Sequence, residues 1–127
     1  MKCFCNSGKE FKKCCGPLLN GKKSAKTPLE LMRSRYSAYV TKNIDYLVET
    51  TLPENRKLYP KEDLLEWANS SKFFNLEIIN SQTKENSGSV EFKAYYELIG
   101  KVHIHHEYSI FQKVDGKWYF EDGMVME

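Results

Sequence analysis

The sequence holds 127 residues, 41% hydrophobic and 28% charged, with a formal net charge of +2. That length suits one domain with a real core, and the composition excludes disordered and fibrous classes. No apolar run approaches the ~20 residues of a membrane helix and no secretory leader opens the chain, so a cytosolic protein is expected.

Residues 1–16 form a cysteine segment. All the cysteines, Cys3, Cys5, Cys14 and Cys15, lie in it with a C-x-C-x8-C-C spacing. Disulfides are rare in a reducing compartment, and Cys14 and Cys15 are adjacent, so a metal is the better explanation of the cluster. Zinc takes four thiolates in a tetrahedron, and a C-x-C turn followed by an eight-residue return brings two pairs to opposite sides of one ion. Asn6 and Gly8 are residue types that tolerate the left-handed backbone such a turn requires. Iron is the alternative ion for a four-cysteine site.

Charge is uneven along the chain. Residues 1–26 carry seven lysines against Glu10, a net +6, and leave −4 for the remainder. Those lysines either offset the charge of a zinc–thiolate centre or present a surface to an acidic protein or ribosomal RNA. Few aromatic residues are interleaved with them, so nucleic acid is not expected as the main partner.

Residues 18–26 read as a flexible basic linker, and the cysteine segment is expected to fold and unfold apart from the rest of the chain. Thr27-Pro28-Leu29-Glu30 is a helix start: a threonine N-cap, proline at the first position and a capping box. Leu29, Met32, Tyr36, Tyr39 and Val40 form its apolar stripe. Asn43 caps a short second helix carrying Ile44, Leu47 and Val48. A third is expected over Pro60–Ser70, with Leu64, Leu65, Trp67 and Ala68 turned inward. From Phe73 the period changes to two, and four strands are expected. They are Phe73–Thr83, a strand from Val90 after a turn at 86–89, residues 101–114, and Lys117–Phe120 extending towards Val125. Asp115-Gly116 is the last hairpin turn. Helices followed by an antiparallel meander define an α+β fold with helices on one sheet face.

The first segment resembles the SEC-C motif, the zinc-binding tail of the preprotein translocase ATPase SecA. The pattern is carried by Cys3, Cys5, Ser7-Gly8-Lys9, Phe11-Lys12-Lys13 and Cys14-Cys15-Gly16. The remainder resembles the YchJ family of SEC-C proteins at Leu31–Tyr39, Asp45-Tyr46-Leu47, His106-Glu107 with Ser109 and Phe111, and Asp115–Tyr119 with Asp122-Gly123. The resemblance implies a SEC-C motif over residues 1–20. It also implies a nuclear transport factor 2-like (cystatin-like) domain over residues 27–127, a cone of helices on a curved sheet. The function it implies is a zinc-binding cytosolic adaptor, with partners in SecA-like export, a chaperone or the ribosome docking on the basic knuckle. The alternative is a small-molecule binder or enzyme using the pocket that this fold encloses in relatives of ketosteroid isomerase. No nucleophile–base pair or cofactor motif is visible, which leans against an enzyme.

Four residues define a polar cluster, either lining a pocket or bracing the fold: Arg35, Tyr36, His106 and Glu107. Strand alternation puts His106 with Val102, Ile104, Tyr108 and Ile110, read as the core face, and puts His103, His105 and Glu107 on the other. His106 is therefore expected to be buried and structural. Arg35, flanking the helix stripe, is read as one half of an ion pair with a strand carboxylate, Glu107 being the candidate if a bulge turns it inward.

Overall fold

The computed structural model of the protein describes residues 1–126. After the cysteine segment come α1 (Gly16–Leu19), α2 (Pro28–Thr41), α3 (Ile44–Glu49), a 3-10 turn (Pro53–Leu58) and α4 (Lys61–Ser70). The chain then forms β1 (Lys72–Thr83), β2 (Ser87–Leu98), β3 (Lys101–Val114) and β4 (Lys117–Val125), in one antiparallel sheet of order β1-β2-β3-β4. This is the α+β, nuclear transport factor 2-like architecture expected. Among the described residues no helix is long and apolar enough to cross a membrane.

Local signals account for the helix ends. Thr27 Oγ1 accepts from the Glu30 N–H at 3.1 Å, and the Glu30 carboxylate accepts from the Lys26 N–H. Asn43 caps α3 by accepting from the Tyr46 N–H. Asp115 and Gly116 both take left-handed angles in the β3–β4 hairpin, the conformation a two-residue turn demands. The β1–β2 turn is tighter than expected: Gly88 and Ser89 already pair with Thr83 and Gln82 of β1. Helix α2 sits so close to that point that a Cβ on Gly88 would clash with Pro28 Cγ.

Helix α2 is enclosed well beyond one stripe. Leu31, Met32, Ser34, Arg35, Tyr36, Ser37 and Ala38 are all buried. The sheet covers one side through Leu76, Val90, Phe92, Phe111, Trp118 and Phe120. A second cluster, Ala38, Ile44, Leu47, Leu64 and Ala68, joins α2 to α3 and α4. Leu65, expected inward, is 41% exposed, because α4 meets the core through Leu64, Trp67 and Ala68.

The cysteine segment covers the remaining side of α2. Cys3, Cys5 and Cys15 belong to the same buried cluster as Leu31, Met32, Tyr36 and Leu76. Arg33 Nη1 donates to the Cys5 carbonyl at 2.7 Å, and Asn6 Nδ2 reaches the side chain of Asn75 in β1. The expected linker is also docked. Leu18 is buried, Leu19 O accepts from Asn43, and the Trp118 indole N–H donates to Lys26 O. The expectation of a flexible tether to a segment outside the core is thus corrected. A segment too short for its own core buries its apolar atoms on the nearest helix.

Candidate functional site

The chain around the cysteines is a tight loop closed by a bridge between Lys2 and Glu10. Asn6 and Gly8 adopt φ of 63° and 85°, as expected of the turn. Among the thiols, Cys5 Sγ and Cys14 Sγ are 3.6 Å apart, Cys14 and Cys15 4.0 Å, and all four lie within 4.8 Å of one another. A tetrahedral ion bonded to sulfur at about 2.3 Å requires edges of about 3.8 Å. The donor set therefore fits a metal ion. None of the four is in a disulfide. Two hydroxyls support them: Ser7 Oγ at 3.2 Å from Cys14 Sγ, and the fully buried Ser37 Oγ of α2 at 3.7 Å from Cys3 Sγ. Ser37 and Arg33 stand four apart on one helix face, the spacing that could have marked them in the sequence.

The thiols do not share negative charge evenly without a cation. A hydrogen bond from Cys15 holds Cys5 down at about 4. Cys15 is pushed up, first by that same bond and then by burial, and burial raises Cys14. The charge of a Cys5 thiolate opposes a second one at Cys14 or Cys15, and a bound cation would relieve that repulsion.

The second site lies inside the cone. A cavity of about 320 Å³ opens between α2, α4 and the sheet. Tyr39, Trp67, Phe73 and Phe92 are its aromatic wall. Trp67 meets Tyr39, Phe73 and His105 edge-on, with ring centroids 4.9–5.3 Å apart. At the base, the Glu107 carboxylate is bonded to His105 Nε2 at 2.7 Å and accepts from the Ser109 hydroxyl. At the mouth, Tyr59 donates to Asp122. Burial and that bond push Tyr59 up to about 12.

β-Sheet register decides which side chains arrive here. Glu107 pairs with Phe92 of β2 and shares its inward face, whereas His106 pairs with Lys93 on the outside. A register shift after Ile110 sets Phe111 against Phe120 and Ile110 against Asp122, leaving Glu121 unpaired in β4. This bulge switches the inward parity of β4 from Trp118 and Phe120 to Gly123 and Val125, both of which line the cavity. Gly123 then lies directly under the carboxylate, where any Cβ would collide with Glu107 Oε2.

The predicted cluster is thus divided. Arg35, Tyr36 and Glu107 line the cavity. His106 does not. It projects from the outer face, bonded to Glu91 at 2.7 Å, with its side chain 22% exposed. The alternation was correct but the face was inverted, because Val102 and Ile104, taken as core, are 63% and 55% exposed. Sequence reasoning left His105 and Ser109 out of the cluster for the same reason. Arg35 is corrected too. It is 5% exposed and has no carboxylate within 4 Å among the described residues. Its Nη1 instead donates to Leu47 O, Thr50 Oγ1 and Thr51 Oγ1, and its guanidinium lies over Phe120, 4.3 Å from the centroid. Burial lowers its pKa from the ordinary value.

These placements set opposite expectations for two neighbours. His106→Ala should cost under about 1 kcal/mol, as for other partly exposed ion pairs. Glu107→Ala should cost about 1–3 kcal/mol, because it strips His105 and Ser109 of their acceptor. Urea unfolding of the two variants compares them directly, and equal costs would count against this assignment of faces.

Fold and site together define a nuclear transport factor 2-like domain with a cysteine cluster packed on its first long helix. Residues 27–123 match the family model described as "YchJ, middle NTF2-like domain", and residues 2–17 match the SEC-C motif. A UPF0225 protein of Geobacter sulfurreducens is 44% identical over 95% of this chain and 77% of its own. The solution structure of a SEC-C motif containing protein from Rhodopseudomonas palustris superposes with a TM-score of 0.94, at 44% identity over the whole of both chains. A crystal structure of another, from Psychrobacter arcticus, gives 0.85 at 31% identity, over 98% of this chain and 81% of that one. The chain belongs to the YchJ-like, UPF0225 family of SEC-C motif proteins.

Proposed function

We propose that the protein binds a small molecule in the cone, and that the four cysteines hold zinc as a structural staple. The observation that carries this reading is the cavity of about 320 Å³, at the low end of the ligand-pocket range, with the Glu107–His105–Ser109 network at its base. A protein whose body served only as a scaffold would have no use for unfilled apolar volume lined by a half-buried carboxylate. Cys3, Cys5, Cys14 and Cys15 would take the metal, and the buried position of three of them suits a closed, non-catalytic site. A reducing cytosol would keep those thiols available.

Ala94, 3% exposed on β2, lines the cavity. A thermal-shift screen of small metabolites against the full metal-loaded chain should return hits, and Ala94→Leu, by filling the volume, should remove them. A wild-type chain that no compound shifts would sink this reading. A second reading would then lead, in which the knuckle docks an acidic protein such as a chaperone or export partner. It is favoured by the exposure of all seven lysines of residues 1–26 around the cysteine site.

A further inference from the structure

The cavity contains a buried cation that the protein leaves partly unanswered. Every hydrogen bond of Arg35 runs through Nη1. Nε and Nη2, with three N–H groups, have no acceptor among the described residues. They are nevertheless not sealed in, since Ser71 Oγ is the one buried side-chain polar atom there without a partner. Arg35 lines the cavity, so that volume is where an acceptor for the unbonded edge of the guanidinium would sit. The Tyr39 hydroxyl, also on the cavity, has no hydrogen-bond partner among the described residues either. An acceptor that reaches them gains hydrogen bonds from a charged donor in a largely enclosed site.

The described residues do not supply that acceptor. Glu107, the nearest carboxylate to be considered, is already held by His105 and Ser109 and wedged on Gly123, beyond ion-pair distance from Arg35. The Glu107 carboxylate faces the same volume, and a carboxylate ligand seated beside it would meet like charge. What satisfies the donors without meeting that repulsion is a neutral oxygen acceptor. The aromatic wall and small volume set the shape of the rest. We propose that the cavity accepts a small, neutral, flat molecule bearing a carbonyl oxygen, seated on the free edge of Arg35 and the Tyr39 hydroxyl, with its ring against Trp67 and Phe92. Glu107 acts as the selectivity element that turns away carboxylates. This proposal rests on the cavity being a ligand site.

Three probes of similar outline separate the possibilities: acetophenone, benzoate and ethylbenzene. Each is titrated into the full metal-loaded chain while the Trp67 indole and Ala94 methyl NMR signals are followed. Acetophenone should bind at least about ten-fold more tightly than ethylbenzene, because only the ketone answers the buried donors. Benzoate should bind at least about ten-fold more weakly than acetophenone, and Glu107→Gln should narrow that gap. Arg35→Met should remove most of the preference for acetophenone over ethylbenzene, leaving the smaller part that the Tyr39 hydroxyl supplies. Tyr39→Phe should reduce the ketone preference several-fold, and it serves if the arginine variant folds poorly. Equal binding of ketone and hydrocarbon by the wild type, or tighter binding of benzoate, would overturn the carbonyl assignment while leaving the cavity a ligand site. Failure of all three probes to shift either signal would overturn both.

Discussion

Stripping the metal with a chelator, or replacing Cys14 and Cys15 together by serine, is expected to lower the unfolding free energy of the whole chain by about 3–5 kcal/mol. Structural zinc contributes about 10–16 kcal/mol of apparent binding energy in zinc-finger peptides, most of it consumed in ordering the peptide. Here the ordered segment also covers one side of α2. Releasing it would expose Leu31, Met32 and Tyr36, and would free the acceptor of Arg33 at Cys5 and the contact of Ser37 with Cys3. A loss of that size is a large share of the 5–15 kcal/mol typical of a domain. The sheet should therefore feel the loss. Far-ultraviolet dichroism and tryptophan fluorescence should report one transition moved to lower denaturant, since Trp118 is tied to Lys26 beside the segment. Two separate transitions, with the tryptophan one unmoved, would instead describe an independent knuckle. Elemental analysis of protein purified without chelator should find about one zinc per chain.

Arg35→Ala is expected to cost about 2–4 kcal/mol, and Arg35→Met distinctly less. The alanine variant loses hydrogen bonds from a charged donor and the stacking of the guanidinium on Phe120, and it leaves a void at the centre of the cone. The carbonyl of Leu47 is not orphaned, because Thr51 Oγ1 also donates to it at 2.8 Å. Methionine keeps most of the volume and removes a buried charge whose desolvation is itself unfavourable, so its net effect is small. Chemical denaturation of the three proteins decides the point. If methionine proved as costly as alanine, the hydrogen bonds of the guanidinium rather than the packing would be the main support.

Much of this could be read from local pattern. The cysteine spacing with Asn6 and Gly8 described a metal-sized loop, and the loop forms with those two residues in left-handed conformations. Thr27, Pro28 and Glu30 marked the start of α2, and Asp115-Gly116 the last hairpin. Such signals are legible because they depend on residues a few positions apart, whose backbone angles and hydrogen bonds are settled within one turn of chain.

The faces of β3 were not legible in the same way. Its alternation leaves two choices, and the apolar character of Val102 and Ile104 favours the wrong one. Only pairing with β2 sets Glu107 beside Phe92, and only the bulge at Glu121 brings Gly123 beneath it. Arg35 was read as half of an ion pair because helix geometry places it near the sheet. Its actual partners, Leu47, Thr50 and Thr51, come from the end of α3 packed against it. By itself the sequence determined the element order, the caps and turns, and the four-thiol set, all governed by short-range geometry. The tertiary structure alone decided that the cysteine loop shares the core, that His105 rather than His106 joins Glu107, and that the cone stays open. Those outcomes depend on contacts between residues dozens of positions apart, where register, a single bulge and the burial of apolar surface choose among arrangements that local pattern leaves equal.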